Sequence, residues 1–372
     1  MPAQHPVILT PAARTTPTLW AHMRLCSLRA ALSVSREADS WVLHSPRAWL
    51  GTAFHRLMAK APSDYREAEA LWDSAISEIQ ASASAHPQDF RFAKIERWPG
   101  YYLVRQRAIA SAVRRTPQTS TTHKPRPTAY SHIGSERLLT ARAGRLAGRP
   151  DHFDLHAVTE YKSSLPDSAW PESGSIIDGY WRQLWLYAVI IGENGSWPAS
   201  ARIVSASGEV LEEPLKREVC EAEADAAISG LDSMNRVLQA GCHGAALASP
   251  GQIACGQCPY QAICPAFWSW CDTESWPDLR EPAARGKLES IDLGMDGDLY
   301  VIILSLDGRR GADGAQSIAL RKSVHGDLTA CMKGSPIRIV FASTWPNGRL
   351  RADISTCLFD EDNLPELRCG SA

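Results

Sequence analysis

What this 372-residue sequence lacks narrows it first. It contains no apolar run of about 18 residues or more, so no segment reads as a membrane span. Its opening stretch, MPAQHPVILTPAARTTPTLW, has no basic start leading into a long apolar core, which predicts no secretory signal and a cytoplasmic location. Net charge is only −2, which argues against a protein that coats nucleic acid by bulk charge. No GxxxxGK[ST] loop occurs, so any nucleotide-driven unwinding would come from a partner. There is no internal repeat and no heptad pattern. Hydrophobic residues make up 44% and charged residues 22%, the composition of an ordinary globular protein long enough for two domains.

Charge and cysteine are unevenly placed. Between positions 101 and 150 stand ten Lys/Arg and one acid, Glu136. Such an excess is either a phosphate-tracking surface or a solvated helix face followed by a loop. Three of the ten cysteines cluster as Cys255-x2-Cys258-x5-Cys264-Pro265, which in a reducing compartment points to metal rather than disulfides. Three thiolates need a fourth ligand for a tetrahedral zinc or a cubane cluster, and local Cys271 and remote Cys26 both qualify. Cys220, Cys242, Cys331, Cys357 and Cys369 have no partner spacing and are expected to be inert.

Periodicity predicts helices through 17–110. One of them starts at Ser45 as N-cap with Pro46 in the first turn and carries Leu50, Phe54, Leu57 and Met58 on one face. TPQTSTTHKPRPTAY, 116–130, is a Pro/Thr-rich loop. Three short strands follow, in SERLLTARA, GRLAGRPDHFDL and AVTEYKSS, then a helix at 175–192 ended by Gly192, a strand in ARIVSASG and a long helix ending near Gly241. From about residue 284 five strand-length runs separated by turns predict a small barrel.

The stretch GRPDHFDLHAVTEYKSS sets a puzzle. Alternation would place Asp151, Glu160 and Lys162 together on a wetted strand face. Phosphodiester hydrolysis explains the expense. Hard cations such as Mg²⁺ or Mn²⁺ prefer carboxylate oxygens, and two carboxylates on adjacent strands can grip one. A lysine two residues after the second carboxylate shares its face and can orient water or stabilise developing charge. GTAFH adds His55 on a helix, and RQLWLYA sets Gln183 and Tyr187 four apart on one helical face. Taken singly, the strand carboxylates and lysine read first as an exposed salt-bridged face, His55 as a satisfied core or surface histidine, and Gln183 and Tyr187 as an ordinary helix-face pair.

In order, GTAFH, GRPD, TEYK and QLWLY resemble the RecB-type branch of the PD-(D/E)XK nucleases over roughly residues 20–270. That branch includes AddB-like exonucleases, CRISPR-associated adaptation nucleases and the nuclease domain of the eukaryotic flap-processing helicase–nuclease. The resemblance implies a metal-dependent deoxyribonuclease, most simply an exonuclease acting on single-stranded DNA or DNA ends. It makes His55, Asp151 and Glu160 metal ligands, adds the backbone carbonyl of Tyr161, and makes Lys162 the catalytic lysine. Gln183 and Tyr187 would position the DNA backbone or the lysine. Iron–sulfur members carry one cysteine upstream of the histidine motif, so the resemblance favours Cys26 with Cys255, Cys258 and Cys264 around a 4Fe-4S cluster, zinc being the alternative. Ser27 departs from the proline frequent after that cysteine.

The expected architecture is therefore α/β. A restriction-endonuclease-like core, a mixed sheet flanked by helices, occupies 1–275 and is stapled by the cluster. An OB-like β-barrel occupies 284–365, with Trp345 on an exposed loop for stacking on a single strand. The competing reading is a catalytically silent single-strand-binding module that partners a helicase or another DNA-processing protein, and a third is a zinc-stapled scaffold.

Overall fold

The computed structural model describes residues 5–115, 136–163, 165, 176–241, 244–273, 279, 281–295, 297–306, 315–326, 328, 331, 333–345 and 350–369. The Pro/Thr-rich segment 116–130, Cys242 and residues 346–349 after Trp345 lie outside them.

After strand β1 (Val7–Leu9), helix α1 (Pro17–Leu25) starts where the Thr16 hydroxyl accepts the Leu19 N–H. It breaks at Cys26, whose backbone is extended, and resumes as α2 (Ser27–Ser33). No proline or glycine marks that break. Helix α3 (Pro46–Lys60) begins as its sequence predicts, with Ser45 accepting the Arg47 N–H and Leu50, Phe54, Leu57 and Met58 buried. Helix α4 (Tyr65–Ala85) is capped by Asp64, which accepts the Glu67 N–H, and α5 (Tyr101–Arg115) packs against both. Together they form one core around Phe54, Trp72, Phe92 and Ile109.

Four strand segments, not three, occupy 136–163. They are β2 (Leu139–Ala141), β3 (Leu146–Gly148), β4 (His152–Phe153) and β5 (Ala157–Lys162). β2 and β3 form an antiparallel pair of their own. The rigid φ of Pro150 and its missing N–H end β3 before β4 begins. Helix α6 (Ile176–Glu193) crosses from β5 to β6 (Ser200–Ser205), which runs parallel to β5, and β7 (Val210–Pro214) returns antiparallel. The resulting mixed sheet has the order β4-β5-β6-β7.

Helices cover both sides of β5. Val158 packs in the core that α6 shares with α7 (Arg217–Gln239), whereas Tyr161 packs with α3, α4 and α5. The face expected to be wetted is thus buried under α6, because a parallel strand with a crossover helix is covered on both sides. Gly192 does not end α6 but stands inside it. A Cβ there would collide with the Trp197 indole, so the missing side chain is a packing requirement. Gly241, with φ of 67°, supplies the left-handed turn after α7.

Three arginines of the basic segment are spent on acids within the fold. Arg105 bonds Glu69 and Asp73 of α4, Arg142 pairs with Glu193 and Asp225, and Arg145 pairs with Asp232. These three arginines fasten helices rather than present a phosphate track.

Beyond the short helices α8 (Gln252–Cys255) and α9 (Pro265–Thr273) the chain becomes a sheet. Strands β8 (Ala284–Leu293), β9 (Leu299–Leu306), β10 (Ala315–Arg321), β11 (Pro336–Val340) and β14 (Cys357–Asp360) form an antiparallel sheet of order β10-β9-β8-β11-β14. β12 (Ser343–Thr344) and β13 (Leu350–Arg351) pair separately. No strand pairing closes this sheet into a barrel among the described residues. The last expected strand, RLRADISTCLF, splits into β13 and β14 because Asp353 turns the chain, accepting the Ser355 N–H. Finally β15 (Leu367–Cys369) pairs in parallel with β1, and Val340 and Phe359 share a core with Leu28 and Trp268. No described helix is long and apolar enough to cross a membrane.

Candidate active site

The end of β5 meets α3 on one side and α6 on the other, and the polar residues singled out in the sequence converge there. Asp151, just before β4, is only 7% exposed. Its Oδ1 lies 2.8 Å from His55 Nδ1 on α3, and its Oδ2 accepts the Tyr161 N–H at 2.7 Å. The carboxylate therefore ties α3 to β5. Glu160, 2% exposed, takes hydrogen bonds on Oε1 from Lys162 Nζ at 2.6 Å and from Gln183 Nε2 at 3.0 Å. Gln183 Nε2 also reaches Tyr187 Oη at 3.2 Å. Lys162 Nζ sits 4.2 Å from the centre of the Tyr180 ring, a cation–π contact that fixes the ammonium.

Glu160 Oε2 is buried and has no hydrogen-bond partner. An unpaired carboxylate oxygen in the interior is costly unless a cation completes it. A second observation points the same way. Ligand atoms of His55, Glu136 and Asp151 all lie within 4.8 Å of one another. Glu136 is the residue the sequence reading missed as a ligand. Its only signal was being the one acid in the basic segment 101–150. Its N–H donates to the Pro150 carbonyl, which brings it back beside Asp151. Carboxylate and imidazole donors of this kind suit a divalent cation such as Mg²⁺ or Mn²⁺.

The electrostatics follow from burial and these neighbours. Burial raises the Glu160 carboxyl above its ordinary range, with Lys162 pulling against it. Burial would lower the Lys162 ammonium, but the charge and hydrogen bond of Glu160 outweigh it and hold Lys162 protonated. For His55, burial is likewise overcome by the hydrogen bond and charge of Asp151, so its pKa rises. Burial, then the Asp151 charge, raises Glu136. Tyr187 is raised by burial and by Glu160, so it acts as a neutral hydroxyl.

All of these groups line one cleft of about 1180 Å³, whose rim carries Arg47, Arg56 and Lys60 of α3. Gly148 of the GRPD segment underlies it. A Cβ there would stand 2.7 Å from the Tyr187 ring, so glycine lets Tyr187 approach β3.

Residues 14–265 match the PD-(D/E)XK nuclease superfamily. The chain belongs to that superfamily. No curated protein matches it. Membership implies metal-dependent nuclease chemistry with DNA as substrate, and the unpaired Glu160 oxygen and the His55–Glu136–Asp151 group in this cleft fit the divalent ion such nucleases use.

A second, much smaller cavity of this PD-(D/E)XK nuclease, about 20 Å³, is lined by Cys26, Cys255, Cys258 and Cys264 together with Arg29. All four cysteines are free thiols. Cys26 is brought in from the break between α1 and α2, whereas Cys271 is fully buried in the neighbouring core and does not line the cavity. The Ser249 N–H points at Cys26 Sγ and the Gly251 N–H at Cys255 Sγ, both at 3.5 Å. Burial pushes the Cys258 thiol up to about 11 and Cys264 up to about 12, so both are protonated unless a metal takes the proton's place. Arg29, one helical turn after Cys26, is a further residue the sequence reading did not single out, and its charge draws Cys255 and Cys258 back down.

Proposed function

We propose that this chain is a RecB-like, metal-dependent deoxyribonuclease that cuts single-stranded DNA or DNA ends. The observation that carries this reading is the buried, unpartnered Oε2 of Glu160, whose other oxygen accepts from Lys162, in the cleft that the His55–Asp151 pair also lines. A structural salt bridge would satisfy both carboxylate oxygens, whereas a site built for a cation leaves one vacant.

His55, Glu136, Asp151, Glu160 and the Tyr161 carbonyl would hold the divalent ion. Bound there, that ion would lower the pKa of the attacking water and offset charge on the scissile phosphate. Lys162 presents a fixed positive charge at the same place, where it orients the water and stabilises the charge that develops. Gln183 holds the Glu160 carboxylate in its rotamer while Tyr187 braces Gln183. Arg47, Arg56 and Lys60 of α3 line the same cleft, Arg56 paired with Glu78, and give its rim positive charge for a phosphate backbone. Small residues Ala48, Gly51, Thr52 and Ala59 between them let a backbone come close. The intact set of Asp151, Glu160 and Lys162 speaks against a silent binding module.

The four-cysteine cavity supports a 4Fe-4S cluster over zinc. Zinc–sulfur bonds of about 2.3 Å put the thiolates of a tetrahedral site about 3.8 Å apart. Among the described residues, neither group that gathers three ligand atoms within 4.8 Å includes a cysteine. Four thiols around a shared cavity, with N–H donors to two sulfurs and Arg29 beside them, suit a polynuclear cluster. Its role would be to join α1–α2 to the 255–264 loop. In the C-terminal sheet, half-exposed Trp345 carries the Arg351 guanidinium 4.8 Å from its ring centre, which supports an OB-like surface stacking on a single strand. A helicase partner would supply any unwinding.

The test is incubation of anaerobically purified protein with end-labelled single- and double-stranded DNA in Mg²⁺, Mn²⁺ or chelator. Expected are metal-dependent shortening of single strands and loss of activity in Asp151→Asn. Cleavage that persists in excess chelator would sink the reading.

A further inference from the structure

Away from the cleft, His44, His86 and Asp89 place three ligand atoms within 4.8 Å of one another. Asp89 Oδ2 lies 2.7 Å from His44 Nδ1 and 3.0 Å from His86 Nδ1. The Asp89 side chain is fully buried, and its Oδ1 has no hydrogen-bond partner. None of these residues belongs to the nuclease site or to the cysteine cavity.

The tautomer of His86 is the decisive detail. Its Nε2 lies 2.8 Å from the Asp39 carbonyl, which can only accept, so Nε2 carries the proton. Its Nδ1 accepts the Gln88 N–H at 3.2 Å and therefore presents a lone pair. A lone pair on Nδ1 and a carboxylate oxygen 3.0 Å away repel each other unless a positive charge lies between them. A histidine whose far nitrogen donates to a backbone carbonyl has the outer-shell arrangement of metal-binding histidines, and an ion here would take the Nδ1 lone pair in place of the long Gln88 N–H contact.

We propose that His44, His86 and Asp89 form a zinc site distinct from the nuclease centre. Two imidazole nitrogens and one carboxylate oxygen make a donor set suited to zinc, with the fourth position open beside partly exposed His44. Ligand atoms around a tetrahedral zinc stand about 3.3 Å apart, so the two carboxylate–imidazole spacings of 2.7 and 3.0 Å would widen by about half an ångström or less on average. The ligands come from segments that meet only in the folded chain. His44 follows Leu43, whose N–H donates to the Pro259 carbonyl in the cysteine loop. His86 caps the C-terminus of α4. Asp89 opens the turn Phe90–Phe92, which packs on the short helix Lys322–His325 of the C-terminal sheet. A bound ion would clamp these three parts together.

The experiment is zinc binding to the full chain after metal removal and dialysis, comparing wild type with His44→Ala and Asp89→Asn. Wild type should retain one more zinc per chain than either variant, and zinc should raise its Tm while leaving that of His44→Ala unmoved. Cobalt should give the visible bands of a nitrogen–oxygen site, lost in His44→Ala, without thiolate charge transfer. Magnesium-dependent cleavage should survive in His44→Ala, since His44 lies outside the nuclease site. Should Asp89→Asn fail to fold, half-exposed His44 keeps the comparison open. Equal zinc content in wild type and His44→Ala, with unchanged cobalt spectra, would show a hydrogen-bonded triad and overturn the proposal.

Discussion

Tyr187 lies against the backbone of Gly148 so closely that a Cβ at 148 would stand 2.7 Å from its Cε1 and 3.0 Å from Ile190 Cδ1. Both neighbours are buried parts of α6, so neither can swing away freely. Gly148→Ala should therefore displace α6 from β3, costing about 1–3 kcal/mol of stability, as overpacking does. Activity should fall further than stability, because the displacement reaches Gln183 and through it Glu160. Tyr187→Phe keeps the ring and loses only the hydroxyl, so it should keep the wild-type Tm yet lose part of the turnover. Melting curves beside initial rates check both, and a fully active Gly148→Ala protein would refute the packing argument.

Lys162 neutralises a carboxylate that is almost wholly buried. Replacing it with methionine keeps its length and removes its charge. In chelator, Lys162→Met should lose about 3 kcal/mol, because Glu160 is left buried without its ion-pair partner. Adding Mn²⁺ should restore much of that stability but not the activity, which should stay down by about 10²–10³-fold through loss of the oriented charge. Thermal melts with and without Mn²⁺, set against cleavage rates, separate the two effects.

The parts of this protein that the sequence made legible are those governed by local periodicity. α3 starts at Ser45 with Pro46 because capping chemistry is local, and Gln183 and Tyr187 share a face because they are one helical turn apart. The convergence of His55, Asp151, Glu160 and Lys162 was legible through motif order. Burial of their face was not, because alternation along one strand cannot reveal that α6 covers it. Gly192 was misread as a terminator because its reason, the Trp197 ring, sits beyond the end of α6. Glu136 was passed over because a carboxylate at the edge of a basic loop has no spacing relation to Asp151. The expected barrel appears as an open five-stranded sheet among the described residues, since strand count does not dictate closure.

Glu136 offers a graded test of the metal site. It is more exposed than Asp151 or Glu160 and enters from a different segment, so it should contribute affinity rather than define the site. Glu136→Gln should weaken Mn²⁺ binding by about 10-fold, roughly 1.4 kcal/mol. Cleavage should recover as Mn²⁺ is raised, whereas Asp151→Asn should stay inactive at any concentration. Calorimetric titration of Mn²⁺ and a metal-dependence curve give the two readouts. Wild-type metal dependence in Glu136→Gln would remove it from the ligand set.

Cys26 and Cys271 provide the sharpest contrast, because they competed as fourth ligand and occupy different places. Cys26 lines the cavity with Cys255, Cys258 and Cys264, whereas Cys271 packs in the core beside it. Cys26→Ser should bleach the visible absorbance of anaerobically purified protein and lower its Tm, since the cross-link from α1–α2 to the 255–264 loop is lost. Cys271→Ser should keep the colour and lose some stability through a buried hydroxyl alone. Iron and sulfide analysis distinguishes the metals, and a colourless wild-type protein carrying zinc would overturn the cluster assignment. In either case the cleft residues should remain chemically competent, because phosphodiester hydrolysis has no redox step. The cysteine site can act on it only by holding the fold around Glu160 and Lys162, so Cys26→Ser should lose activity in step with Tm and regain it on cooling. Complete inactivity at temperatures where the variant is folded would assign the cluster a direct role at the DNA instead.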